Sequence, residues 1–400
     1  MQSLPPDRGL CAGIPSSGDI EAGDPIPSYR QRAWMEIDRA ALLANTRALR
    51  RFLQPRTRLL AVIKADGYGH GALTVASAAL EAGAAELGVA TLAEAIELRQ
   101  AGIAAPLLVL GSLSLPEELA ACQRWELMPT ISDREQVRLC AALGRQGGQP
   151  LNLHLKLDTG MTRLGAHWAD GLQLLRLIEQ SEGVRLRGLY SHLAVADDPH
   201  AHFTRQQQER FEAVLQAARQ EGLNLGLCHL ANSAGTLGDR LLHYDMVRVG
   251  LALYGHAPAA HLADVLPLRP AMAVRARVTL LRQVQAGTGV SYGSSFHVQR
   301  PSRLAVVGIG YADGVPRLLS NRMAVLFRGQ RLPQVGAITM DQLMVDATDA
   351  PALSIGDVVT LLGSDGVATI TPEAWSQACR TIPWEILCGF KHRLPRLVEN

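Results

Sequence analysis

The sequence predicts an α/β chain: a (β/α)₈ barrel of the TIM type followed by a C-terminal β-rich domain. Three observations lead there. From about residue 33, short apolar runs alternate with segments whose apolar residues recur at helical spacing. About eight such units fit into residues 33–266. After "LRPAMAVRARVTLLRQV" the helical rhythm stops, and residues 267–400 become short β-branched runs broken by glycine and proline. A doubly wound sheet gives the same alternation, so the rhythm alone leaves both architectures open.

The elements follow in order. Residues 1–32, rich in proline, glycine and serine, lack the apolar core of a signal peptide and are expected to form a disordered tail. The strands of the repeating part are read in "RLLAVIKA", "ELGVA", "PLLVLG", "ELMPTI", "LNLHLKLD", "VRLRGLYSHL", "LNLGLCHLANS" and "DMVRVGLALYG". Helices such as "TLAEAIELRQAG" and "FTRQQQERFEAVLQAARQEG" lie between them and close on Gly102 and Gly222, the usual stop signal. In the last third, "RLAVVGIG", "MAVLFRG" and "GDVVTLLG" read as strands.

The totals narrow the function class. With 400 residues, 48% hydrophobic and 19% charged, the chain has the composition of an ordinary globular protein. A net charge of +2 from interspersed residues argues against nucleic acid or an anionic membrane as partner. No run approaches the length of a membrane span. Six scattered cysteines, with no CxxC pair, read as reduced thiols of a cytoplasmic protein rather than a disulfide framework or zinc site. "GIGYADG" and "GTGVSYG" look like nucleotide loops but lack the strand-to-helix setting, and the loop pair His200 and His202 has no further ligand nearby, so neither a dinucleotide nor a metal is assigned.

Polar residues gather where a barrel places chemistry, at the C-terminal ends of the strands. Lys64 ends a strand and is followed by the glycine-rich "ADGYGHG"; a lysine in such a place is costly unless paired, neutralised or used. Lys156, Asp158 and Arg163 follow another strand in "LKLDTGMTRLG". His192 ends "GLYSHL", Asn232 and Ser233 end "CHLANS", and Arg248 and Gly250 lie in "DMVRVGLALYG". Taken singly, each has a bland reading as a snorkelling lysine, a strand-end cap or an ion-paired arginine.

Together they resemble one family. "AVIKADGYGHGA" resembles the cofactor-lysine signature of the alanine racemases, and the likeness continues in order through "KLDTGMTRLG", "SHLA", "HLANSAG", "VRVGLALYG", "GVSYG", "GYADGVPR", "MDQLMVD" and "RLPR". The resemblance implies a homodimeric barrel enzyme that uses pyridoxal 5'-phosphate (PLP) to interconvert L- and D-alanine in the cytoplasm, for peptidoglycan supply or alanine catabolism. It implies that Lys64 carries the cofactor and serves as one base. The second base is then Tyr292, given by the partner subunit so that active sites are shared. Two bases on opposite faces suit a reaction that removes a proton from one side of Cα and returns it to the other.

By the same resemblance Tyr68, Ser233, Gly250 and Leu251 cradle the cofactor phosphate, while His192 and Asn232 line its site. Arg248 faces the pyridine nitrogen; having donors only, it leaves that nitrogen unprotonated and weakens the electron sink. Arg163, Met340 and the adjoining Asp341 correspond to the substrate-carboxylate site. Lys156 matches a lysine that is often carbamylated and braces the arginine. Tyr311, Asp313 and Arg317 resemble residues of the site entrance contributed across the dimer. Two positions depart from the family pattern. Trp384 in "TIPWEIL" stands where a tyrosine usually reaches the phosphate, and Ala337 where an entrance arginine is common. These leave open a broader racemase acting on serine, alongside two rivals: a PLP carrier without turnover, which needs no second base, and a fold-related decarboxylase, expected to pair the pyridine nitrogen with a carboxylate.

Overall fold

The computed structural model describes residues 19–20, 31–390 and 392–399. Most of the tail expected at 1–32 lies outside them. Inside that span the expectation is corrected at two places. Asp19–Ile20 pairs in parallel with Arg396 and Leu397. Arg32 donates to Gly308 O and to both carboxylate oxygens of Asp313, which is fully buried and needs a counter-charge.

Strand β1 (Ala33–Asp38) is followed by α1 (Arg39–Phe52), whose first turn is capped by Asp38 Oδ1 accepting from Ala41 N. Then come eight parallel strands: β2 (Arg58–Val62), β3 (Glu86–Val89), β4 (Leu107–Ser112), β5 (Met128–Ile131), β6 (Leu151–Asp158), β7 (Val184–Tyr190), β8 (Leu227–His229) and β9 (Met246–Val249). Their spatial order is β5-β4-β3-β2-β9-β8-β7-β6, and β5 pairs again with β6. That last pairing closes the sheet and decides for the barrel over the doubly wound alternative. Each of the eight apolar runs of the sequence supplies one strand. Helices cover the outside, and those ending at Gln100 and Gln220 stop just before Gly102 and Gly222, both with positive φ.

The inside of the barrel is divided. Leu60, Val62, Leu108, Met128 and Met246 form a separate apolar cluster there. From β6 round to β9 the interior also carries polar groups: His154 and Lys156 on β6, Tyr190 on β7, His229 on β8 and Arg248 on β9 are all buried.

The second domain is mostly β. Its spine is β10 (Met272–Val284), a bent strand whose first half pairs antiparallel with β1 on one side and Val358–Asp365 on the other, while its second half pairs with Ser302–Val307. The C-terminal strand Arg396–Glu399 lies parallel to β1. Thus β1, counted with the barrel when the chain is divided at residue 266, pairs within the second sheet. The reason is register: its alternating residues Ala33, Met35 and Ile37 bury one face against that domain, a partner the local pattern does not reveal. Among the described residues no helix is long and apolar enough to cross a membrane, and the five described cysteines are free thiols. Cys11 lies outside the described residues.

Candidate active site

The turn after Lys64 explains its glycines. Ala65, Asp66, Gly67 and Tyr68 all have φ between +52° and +61°, a left-handed turn that costs non-glycine residues about 1–2 kcal/mol each. Surrounding groups hold it. Ala65 N–H donates to Glu94 Oε1 at 2.7 Å, Ala72 N–H to Asp66 Oδ1 at 2.9 Å, and Arg396 Nε to Gly69 O at 2.9 Å. A Cβ on Gly69 would sit 2.5 Å from Leu387 O, so the helix Pro383–Gly389, which carries Trp384, presses directly on the turn. Trp384 itself is half-buried against the core.

Lys64 emerges from this turn half-buried, with no hydrogen-bond partner among the described residues. Burial first, then the Arg163 charge, lowers its pKa from the ordinary lysine value. Lys156 is only 5% exposed; burial, then Arg248, Arg163 and Lys64, bring it down to about 8. Arg163 is exposed and has no ion-pair partner among the described residues. Four cationic side chains thus converge on one end of the barrel, and Asp158 is the one acid that offsets them at Lys156. Such a site favours a ligand with more than one negative group.

Arg248 is nearly buried and heavily engaged. Its NH1 donates to His229 Nδ1 at 3.0 Å and His229 O at 3.1 Å; its NH2 donates to Ser191 O at 2.6 Å, Leu230 O at 3.0 Å and His192 Nδ1 at 3.2 Å. Burial lowers its pKa to about 10, which leaves it charged at neutral pH. The Nε–H has no partner among the described residues, so one donor of a fixed fork remains unspent. Because arginine only donates, His192 Nδ1 accepts, and a neutral His192 carries its proton on Nε2. Burial, reinforced by Arg248, Lys156, Arg163 and Lys64, keeps His192 well below the usual histidine value and therefore neutral.

A third cluster lies beside these. Ser233 Oγ accepts from Gly250 N–H at 3.1 Å and Ala252 N–H at 3.4 Å, so its own proton is free to be donated elsewhere. Leu251 opens a short 3-10 turn, where the first N–H groups lack intra-helical partners. A Cβ on Gly250 would come within 2.6 Å of the Tyr68 hydroxyl, so glycine is what lets that phenol stand over the turn. Burial raises the Tyr68 pKa, keeping the hydroxyl a donor. Asn232 caps the helix Ser233–Gly238 through Oδ1, accepting from Gly235 N–H at 3.0 Å.

The remaining expected residues lie elsewhere. Tyr292 is 76% exposed, Met340 53% and Tyr311 42%, all on the second domain. They are tied into one surface: Ser291 Oγ donates to Ala337 O at 2.7 Å, and Tyr311 N–H and Ala312 N–H donate to Thr339 O and Met340 O at 3.0 Å. Asp341 accepts from Arg393 NH2 at 2.7 Å. Asp313, expected at the site entrance, is instead fully buried; Arg32, Arg393 and Gly310 N–H surround it, so it anchors this surface from below. Arg317 is exposed.

The sequence reading missed Tyr190, His229 and His154. The Tyr190 ring stacks on His229 at 4.7 Å and 11°, lies under Arg248 at 4.9 Å and faces Lys156 Nζ at 5.3 Å. The period of two along a strand was the available signal, since Tyr190 and His154 stand two residues before His192 and Lys156.

The alanine racemase N-terminal domain family matches residues 37–258, and the alanine racemase C-terminal domain family matches residues 271–398. This chain belongs to the alanine racemase family. A curated alanine racemase of Prochlorococcus marinus is 56% identical over 373 residues, covering 92% of this chain and 96% of that one. Among solved structures, the alanine racemase of D-cycloserine-producing Streptomyces lavendulae superposes with a TM-score of 0.88 at 38% identity, covering 94% of this chain and 98% of that one. The alanine racemase of Bartonella henselae, solved with covalently bound pyridoxal phosphate, superposes with a TM-score of 0.82 at 33% identity, covering 92% and 99%. The barrel followed by a mostly-β domain is thus the family's architecture.

Proposed function

We propose that this chain interconverts L- and D-alanine using Lys64 and Tyr292 of the partner subunit as bases on opposite faces of the substrate, within a cytoplasmic homodimer. The activity itself follows from family membership at this identity: the chain is an isomerase, an alanine racemase, and the family's cofactor is PLP.

The residues present fit PLP. A phosphate is matched by the free Ser233 proton, the Tyr68 hydroxyl and the backbone beside Gly250 and Leu251. A ring nitrogen is matched by the unspent Nε–H of Arg248, and an aldehyde by the unpartnered Lys64 amine. His192 and Asn232 border the same space. Trp384 offers an indole N–H where the family commonly offers a phenol. When bound, PLP supplies the electron sink that acidifies the Cα proton of an amino acid.

The chain's own groups do the rest. Lys64, its charged form disfavoured by burial and by Arg163, takes and returns a proton at Nζ. On the other face the phenolic oxygen of Tyr292 of the partner subunit does the same. A phenol has an ordinary pKa near ~10 and needs help to act as a base. The Nε2–H of His192 and the positive charge of Arg248 supply that help at the barrel rim. Arg163 and the backbone N–H of Met340 of the partner subunit, a group with no partner among the described residues, take the substrate carboxylate; the Asp341 carboxylate is engaged by Arg393. Lys156 reacts as a neutral amine with carbon dioxide: an N–C bond forms, a proton is lost, and the resulting carbamate places an anion among Arg163, Arg248 and Lys64.

The observation that carries this reading is the convergence of an unpartnered lysine, an unpaired Arg163 and an arginine with one donor to spare at one end of a closed barrel. The exposed surface bearing Tyr292, Tyr311 and Met340 supports a partner subunit, for which a non-catalytic carrier has no use. Chiral separation of an amino-acid panel, incubated with protein and added PLP, tests it. Alanine should be racemised fastest; serine as the better substrate would favour the broader racemase.

A further inference from the structure

We propose that His154 is a positioning residue of this racemase: acting through His229, it holds Arg248 as a one-directional donor whose remaining N–H is aimed at the cofactor site. The inference rests on the functional reading above but is carried by separate geometry. Arg248 NH1 meets His229 Nδ1 at 3.0 Å, and His229 Nε2 meets His154 Nδ1 at 3.0 Å. A guanidinium has no acceptor. His229 Nδ1 must therefore be unprotonated, which places its one proton on Nε2. That proton is donated to His154 Nδ1, so the proton of His154 sits on its own Nε2. Three side chains from three different strands are thereby fixed in protonation and direction by one fact, the donor-only chemistry of arginine.

The surroundings are built for this arrangement. His154 and His229 are both fully buried. Tyr190 stacks on the face of His229 and meets the edge of His154. On the neighbouring strand, a Cβ at Gly188 would come within 2.6 Å of the His154 ring, so a glycine clears its place. The His154 Nε2 is buried with no hydrogen-bond partner among the described residues, and burial, then the charges of Arg187 and Arg248, lower the His154 pKa to about 3 and keep the ring neutral.

The consequence for the reaction is orientational. With NH1 held by His229 and NH2 held by Ser191, Leu230 and His192, Nε is the nitrogen of Arg248 left without a partner among the described residues, and so left to face a ligand. Remove the acceptor at position 154, and His229 keeps an unpaired buried N–H, loosening the ring that fixes NH1.

The test reads the imidazoles directly. In holoenzyme carrying ¹⁵N-labelled histidine, the resonances of His154 and His229, assigned with His154→Gln and His229→Gln, should both show the Nε2–H tautomer. In steady-state assays His154→Leu should lower kcat about threefold to tenfold, the worth of one neutral hydrogen bond, with the KM for alanine within about twofold. His154→Gln, whose amide oxygen can accept from His229, should recover most of the loss. An Nδ1–H tautomer at either histidine overturns the proposal, and so does equal activity of the Leu and Gln variants. If His154→Leu does not fold, the tautomers and the Gln variant still decide. Failure of the wild-type protein to racemise alanine would instead sink the functional reading, while the tautomers remain readable.

Discussion

Arg396, on the last strand of the chain, holds the carboxylate of Asp66 and the carbonyl of Gly69, the two ends of the left-handed turn that follows Lys64. The C-terminus thus clamps the backbone that aims the lysine. Arg396→Met should cost about 1.5–3 kcal/mol of stability, the worth of a charged hydrogen bond, read by urea unfolding. PLP should also dissociate faster, because the turn would relax from its strained conformation. Unaltered PLP release would show that Glu94 and the packed helix Pro383–Gly389 suffice to hold the turn.

The covalent anchor is open to direct chemistry. Borohydride reduction of the holoenzyme, followed by peptide mass mapping, should place the pyridoxyl group on Lys64. Label on Lys156, the other lysine of this cluster, would reverse the roles assigned to the two.

Sharing of sites between subunits predicts complementation. Lys64→Ala and Tyr292→Phe chains should each be nearly inactive as homodimers, whereas their heterodimer regains one intact site out of two. Purified heterodimers no more active than either parent would place Tyr292 and Lys64 in the same chain's site.

Much of this was legible before the fold was seen, for identifiable reasons. The barrel strands are short, uninterrupted apolar runs, and each polar rim residue stands where such a run ends, so position along the chain reports position in space. Closure of the sheet was not legible, because it depends on pairing between β5 and β6 that no local pattern encodes. Nor was the pairing of β1 with strands from the far end of the sequence. The buried layer of His154, Tyr190 and His229 was hidden for another reason. Histidine and tyrosine inside an apolar run look like ordinary core residues until the strands opposite show what they touch. Asp313 was placed at the site entrance by resemblance alone; its burial depends on Arg32 and Arg393, which no local pattern brings to it.

Lys156 makes stability depend on pH. Its pKa is about 8 in the folded chain against 10.5 when unperturbed, so between those values the unfolded chain binds more protons. Stability contributed by this site therefore rises with pH through that window, and the charged lysine is a burden below it. In carbon-dioxide-free buffer, Lys156→Met should stabilise the protein near neutral pH by at most about 3 kcal/mol, with the gain fading toward pH ~10.5. Bicarbonate should lessen that difference by converting the wild-type lysine to an anion. A difference independent of pH would mean that packing, not charge, governs the site.

Trp384 sets a final expectation. Trp384→Tyr restores a hydroxyl toward the phosphate, worth roughly 1.5–3 kcal/mol for a bond to a charged group. PLP should then be held about ten- to a hundredfold more tightly, with alanine still preferred over serine. Equal PLP affinity would mean that the indole N–H already serves the phosphate, and a switch of preferred substrate would mean that the ring shapes the pocket instead.

The placement of β1 between β10 and the C-terminal strand fixes an order of events during synthesis. Met35 and Ile37 are made early, yet their parallel neighbour Arg396–Glu399 is made only after the rest of both described domains. At about 5–20 residues per second, that apolar strand waits for tens of seconds with an open edge. The eight strands of the barrel, by contrast, are contiguous from residue 58 to residue 249, so all of them are made before the second sheet. The newborn chain therefore makes the strands that carry its lysine, phosphate cradle and histidine column first, while the Arg396 clamp on the turn after Lys64 arrives only with the far end of the chain. The face bearing Tyr292 comes last, and the active site cannot be completed before the second sheet has captured its oldest strand.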